Sequence, residues 1–87
     1  MLASLRAAGV DVPPEFICPL SQEIMEDPVL LSGDGRVYER ASAAEWLTNS
    51  TFSPSTGLPL GACSFLASHH ALRRQIAAFV SDHAAVL

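Results

Sequence analysis

The sequence predicts a small α+β domain. Three observations carry the prediction: a β-hairpin signal in the first half of the chain, two helical stretches after it, and a loop rich in Pro, Gly and hydroxyl residues between those helices. At 87 residues, folding buries only about 60–65% of the unfolded surface, so the core is thin. Hydrophobic residues make up 49% of the chain and charged residues 16%, a balance that suits a folded domain and argues against disorder.

Leu2, Leu5 and Ala8 recur at helical spacing and Gly9 ends the pattern, so residues 1–12 read as a leader or short helix. Pro13 and Pro14 stop any helix and force an extended chain. The domain proper is expected over residues 13–80, with 81–87 as the end of the last helix and a tail.

"VLLSGDGRVY" predicts a hairpin pairing residues 29–31 with 36–38, because Gly33 and Gly35 can supply the positive φ of a tight turn. Pro28 suits the first residue of a strand. The alanines, Glu45 and Leu47 then favour a helix over residues 41–49. "TFSPSTGLPL" is a loop whose hydroxyls can bond their own backbone. A last helix is expected from His69 to Ala84 with Ser68 as its N-cap. Leu72, Ile76, Phe79 and Val80 form one apolar stripe on it, and Arg73 and Arg74 fall beside the stripe, toward solvent.

Composition also narrows function. The net charge is −4, with five cations against nine acids, so there is no broad basic surface and nucleic acid is not an expected partner. All five cations are arginines; without lysine, no side chain offers an ε-amine. No apolar run approaches the ~20 residues of a membrane span, and the start is too weakly apolar for a signal peptide. Cys18 and Cys63, 45 residues apart, do not make a disulfide framework. A reducing compartment, cytoplasm or nucleus, is therefore expected.

Cys18 invites a chemical reading and resists it. Structural zinc needs four Cys or His ligands, usually in close pairs. Cys18 has no Cys or His within two to four positions, and Cys63 has none until His69. His69 and His70 are adjacent, which on a helix sets them about 100° apart. No metal site is expected. A nucleophilic cysteine needs a depressed pKa, but Cys18 precedes Pro19 in an apolar run without cations nearby. It reads as a small buried hydrophobe.

The polar residues near the bends admit two readings. One is turns and surface. The other is a network in which Ser21, Glu23, Arg40, Ser53 and Thr56 tie loops together by hydrogen bonds, doing what a metal does elsewhere. Trp46 also has two readings: half-buried at the rim of the core, or an exposed anchor for a partner. It lies over Ser42, Ala43 and Ser50, whereas Leu47 aligns with Ala43 and Ala44 as a core stripe.

Taken together, "PPEFICPLSQEIMEDPVLLSGDGRVYERASAAEWL", "FSPSTGLPL" and the final amphipathic helix resemble the U-box, the RING-like domain of one class of ubiquitin-protein ligases that folds without zinc. The resemblance covers residues 13–80 and rests on the pieces in order: "CPLSQEIMEDPV", the glycine turn, "YER", "WL", Pro54 in a loop, then "PL".

It implies two loops around a hairpin and a central helix, with no cofactor. It also implies a partner, a ubiquitin-conjugating enzyme charged with ubiquitin, and transfer to a lysine of a protein substrate with no covalent intermediate on the domain. Carried over by the resemblance, Leu20, Trp46 and Pro54 take the apolar docking positions. Ile17, Pro19 and Phe52 are their neighbours, with Ile17 and Phe52 expected to be more core than contact.

One position departs from the pattern. Many active members carry Arg or Lys three residues after the loop proline, where this chain has Gly57. A docking or dimerisation module with weak activation is therefore the second expectation. A homodimer contact through Leu2, Leu5, Val86 and Leu87 is left open.

Overall fold

The computed structural model describes residues 1–61 and 64–86. Cys63 and Leu87 therefore lie outside the described residues. The fold is built on the hairpin. β1 (Pro28–Leu31) pairs antiparallel with β2 (Arg36–Glu39), Leu30 opposite Val37 and Leu31 opposite Arg36. Both glycines of the turn are needed, for different reasons. Gly35 has φ +69°, whereas a Cβ at Gly33 would sit 2.6 Å from Leu60 O and 2.6 Å from Ser64 Oγ. The turn is thus packed tightly against the chain that follows the second loop.

A third strand, β3 (Leu66–Ser68), runs antiparallel along the other edge of β1, giving the order β2-β1-β3. The sequence does not announce it. Three residues carry no readable alternation, and the strand exists because β1 offers a free edge 35 positions earlier, Leu31 opposite Leu66. Val29, Leu31 and Tyr38 are buried on the core side of the sheet, while Leu30 faces outward, as period-2 alternation requires.

The N-terminal helix α1 (Leu2–Ala7) is integral to the core: Leu2 and Leu5 are 4% and 0% exposed. They are accordingly not available for a homodimer contact in this fold. A 3-10 turn over Pro14–Phe16 buries Phe16. Helix α2 (Arg40–Asn49) follows β2 directly. It buries Ala43 and packs Leu47 against the core, while Ala44 is exposed.

Helix α3 (His70–Asp82) presents the expected stripe. Leu72 and Ile76 are buried, and Phe79 and Val80 pack against the core. Phe79 meets Phe16 edge to face, with centroids 5.4 Å apart, a favoured aromatic geometry. The helix ends earlier than expected and a 3-10 turn covers Ala84–Val86. Its cap also differs: His69 is the N-cap, its Nδ1 accepting the Leu72 N–H at 3.2 Å. Ser68 belongs to β3, and its hydroxyl is taken by the Arg40 guanidinium.

Candidate functional site

Two loops flank α2. The first, residues 17–27, closes largely on its own backbone. The Cys18 N–H donates to Glu23 O at 2.9 Å, Gln22 N–H to Cys18 O at 2.8 Å, and Met25 N–H to Phe16 O at 2.8 Å. Ile17 and Ile24 pair across its neck. Gln22 takes φ 61°, a left-handed conformation that costs a residue with a side chain about 1–2 kcal/mol. This tight turn holds Leu20 half-buried at the surface, touching the core from outside.

The end of β2 clamps the same loop. The Glu39 N–H donates to Cys18 Sγ at 3.3 Å, and the Glu39 carboxylate accepts from Glu26 N–H at 3.1 Å and Asp27 N–H at 3.0 Å. Arg40 Nε lies 2.7 Å from Asp27 Oδ2. Cys18 is 0% exposed, a packed residue whose sulfur also accepts a hydrogen bond.

The second loop, residues 50–60, turns on Ser53. The Gly57 N–H reaches Ser53 O at 3.0 Å, and Ser53 N–H reaches Leu58 O at 2.8 Å. The buried Ser53 hydroxyl accepts from the N–H groups of Ser55 (3.2 Å) and Thr56 (3.1 Å) and donates to Asp34 Oδ2 at 2.7 Å. Tyr38 donates its hydroxyl to the same oxygen at 2.6 Å and shares a hydrogen bond with Ser55 Oγ at 2.7 Å. Asp34 Oδ1 accepts the Arg36 N–H at 2.9 Å. Asp34, at the tip of the hairpin, thereby pins the second loop to the sheet.

Electrostatics follow from that geometry. Burial alone would raise the Asp34 carboxyl. Hydrogen bonds from Tyr38, Ser53 and the Arg36 N–H, with the Arg36 charge, outweigh it and hold the group below its ordinary 3.8. Burial, then the hydrogen bond to the Asp34 carboxylate, pushes the Tyr38 phenol above its ordinary 10.0.

An open groove of about 500 Å³ lies between the first loop and α2, lined by Leu20, Ser42, Glu45, Trp46, Asn49 and Ser50. Trp46 is half-buried, and its indole Nε1 donates to Phe52 O at 2.7 Å, linking α2 to the second loop. The groove thus brings Leu20 and Trp46 together.

The other four apolar candidates lie elsewhere. Pro54 is half-buried on the second loop and does not line the groove. Ile17 and Pro19 line a separate hollow with Val37 and Leu72, Ile17 packing against the core. Phe52, expected in the core, is 49% exposed. The fold engages its backbone, in the bridge to Pro59 and the bond to Trp46, while its ring stays outside.

The tying residues also divide. Ser53 is the hub described above. Ser21 Oγ and Thr56 Oγ1 make only short-range bonds, to Glu23 N–H (3.3 Å) and Leu58 N–H (3.2 Å). Glu23 is exposed and contributes its carbonyl; Arg40 pairs with Asp27 and not with Glu23, because β2 delivers it to the end of the first loop. Asp34, Tyr38, Ser55 and Glu39 carry ties that sequence reasoning missed. Asp34 between two glycines was a signal available for one of them.

This geometry has relatives. The sequence model of the U-box domain matches residues 12–85, most of the chain. The chain belongs to the U-box family. It is 41% identical over 70 residues to U-box domain-containing protein 8 of Arabidopsis thaliana, covering 79% of this chain and 18% of that protein. It is 42% identical over 67 residues to E3 ubiquitin-protein ligase PUB24 of the same plant, covering 77% and 14%. WD repeat, SAM and U-box domain-containing protein 1 of Gallus gallus is 46% identical over 52 residues, covering 59% and 11%. The chain spans less than a fifth of the length of each of these relatives.

The U-box fold here is a three-stranded antiparallel sheet with helices, closed by side-chain and backbone ties at both loops. Among the described residues, no three His, Cys, Asp or Glu side chains converge as a metal site would require.

Proposed function

We propose that this U-box is a ubiquitin-protein ligase module that docks a ubiquitin-charged conjugating enzyme and promotes transfer to a lysine of a protein substrate. The observation that carries the reading is the groove shared by Leu20 and Trp46, open to solvent and flanked by the two pinned loops. The similarity to a protein named as a ubiquitin-protein ligase supports it. The contribution of the module is positional: a rigid docking face holds the thioester near its attack geometry and supplies orientation, not acid–base chemistry. A scaffolding role without a covalent intermediate on Cys18 is supported by the complete burial of that thiol. The reading places the module in a reducing compartment, cytoplasm or nucleus.

The test is affinity. Leu20→Ala and Trp46→Ala should each weaken binding to a conjugating enzyme about tenfold or more, with the fold intact by circular dichroism. Unchanged affinity for both in an NMR titration would overturn the docking assignment.

A second reading, docking with weak activation, is favoured by Gly57. The residue at the position of the expected cation has no side chain and holds φ +73°. Discharge of charged conjugating enzyme onto free lysine separates the two: acceleration over background supports the ligase, binding without acceleration the adaptor. Free lysine is the right acceptor, because the chain has no lysine of its own and self-modification would be a poor readout.

A further inference from the structure

The groove carries one charge, and no ion pair among the described residues neutralises it. Of its lining residues, Leu20 and Trp46 are apolar, Ser42, Asn49 and Ser50 are neutral, and Glu45 is a carboxylate. No arginine lines the groove, and the only ion pair among the described residues is Arg40 with Asp27. The backbone carbonyl of Glu45 is used, accepting from Thr48 Oγ1 at 2.7 Å, and Thr48 Oγ1 in turn accepts from Asn49 Nδ2 at 3.1 Å. The Asn49 amide is thus turned toward its own helix. The exposed Glu45 side chain is left as the sole charge beside two apolar anchors.

We infer that Glu45 sets partner specificity. The groove selects a conjugating enzyme whose docking face presents an apolar side chain to Leu20 and Trp46 and a lysine or arginine to Glu45. Charge complementarity is the argument. A cation from the partner finds an unpaired carboxylate there, in a domain of net charge −4. A partner carrying a carboxylate at the same place meets repulsion and loses the contact. Because Glu45 is exposed, its effect falls on selectivity and association rate more than on total affinity.

The inference rests on the docking reading, and the experiment separates the two. Affinities of the wild-type chain, Glu45→Gln, Glu45→Lys and Trp46→Ala are measured against conjugating enzymes with a basic and with an acidic docking face. For basic-faced enzymes, Glu45→Gln should weaken binding about two- to fivefold and Glu45→Lys about tenfold, mainly in the association rate. Both losses should shrink at about 1 M salt, where the Debye length is about 3 Å. For acidic-faced enzymes, Glu45→Lys should strengthen binding. If Trp46→Ala weakens binding and both Glu45 variants match wild type on every enzyme, the specificity assignment is overturned while docking stands. If Trp46→Ala also matches wild type, both fall.

Discussion

The two loops beside α2 are positioned by different chemistry. The first closes through its own backbone, Cys18 to Glu23 and Met25 to Phe16, over buried Cys18 and Ile24, and receives one carboxylate, Glu39, from outside. The second depends on side chains converging on one atom: Asp34 Oδ2 takes hydrogen bonds from both Ser53 and Tyr38. A loop that closes on its own main chain spreads its stability over many weak contacts. A loop pinned by a hub concentrates it in one ionisable group, and should be more sensitive to a single substitution and to pH.

That contrast can be tested in order of expected effect. Asp34→Ala removes the hub and leaves Tyr38 and Ser53 hydroxyls without their acceptor. A loss of about 2–3 kcal/mol in urea unfolding is expected, with amide shifts over residues 53–57 and little change over 18–24. Equal perturbation of both loops would erase the distinction. Glu39→Ala should cost less, about 1–2 kcal/mol, and its shifts should fall over residues 18–27. A larger cost than Asp34→Ala would reverse the ranking.

The pH prediction follows from the sign of each shift. The Asp34 carboxyl is lowered in the fold, so its stabilisation is fully present above its ordinary 3.8 and is lost as pH falls through the folded value. The Tyr38 phenol is raised, so its stabilisation is fully present below its ordinary 10.0 and is lost as pH rises through the folded value. The second loop is therefore held best between about pH 4 and 10. Amide resonances of Ser55 and Thr56 should hold their positions down to about pH 4 and move only below it, as Asp34 takes up its proton; movement well above that would contradict the hub. The smallest expected effect is none at all: the unfolding midpoint should be unchanged by a strong chelator, and a drop would mean that an ion helps hold a loop.

Much of this was legible in the chain, and the parts that were not share a cause. The hairpin showed because Gly33 and Gly35 mark a turn, and α3 because Leu72, Ile76 and Phe79 repeat at a helical period. Leu20 and Trp46 as a pair came from the order of family motifs; periodicity alone left Trp46 ambiguous between rim and anchor. Phe52 looked like core because it is large and apolar, but the fold engages its backbone, in the bridge to Pro59 and the bonds to Trp46 and Ser50, and leaves its ring 49% exposed.

Local elements were determined by the amino-acid sequence, because turn dihedrals, helix period and proline stops act within a few residues. Partner choice was decided by the tertiary structure alone. Arg40 could have met Glu23 and instead meets Asp27; Ser68 could have capped α3 and instead extends the sheet; Asp34 could have been a solvated turn residue and instead holds Ser53, 19 positions away. Those pairings depend on which segments the sheet brings within hydrogen-bond distance, and no local pattern encodes that.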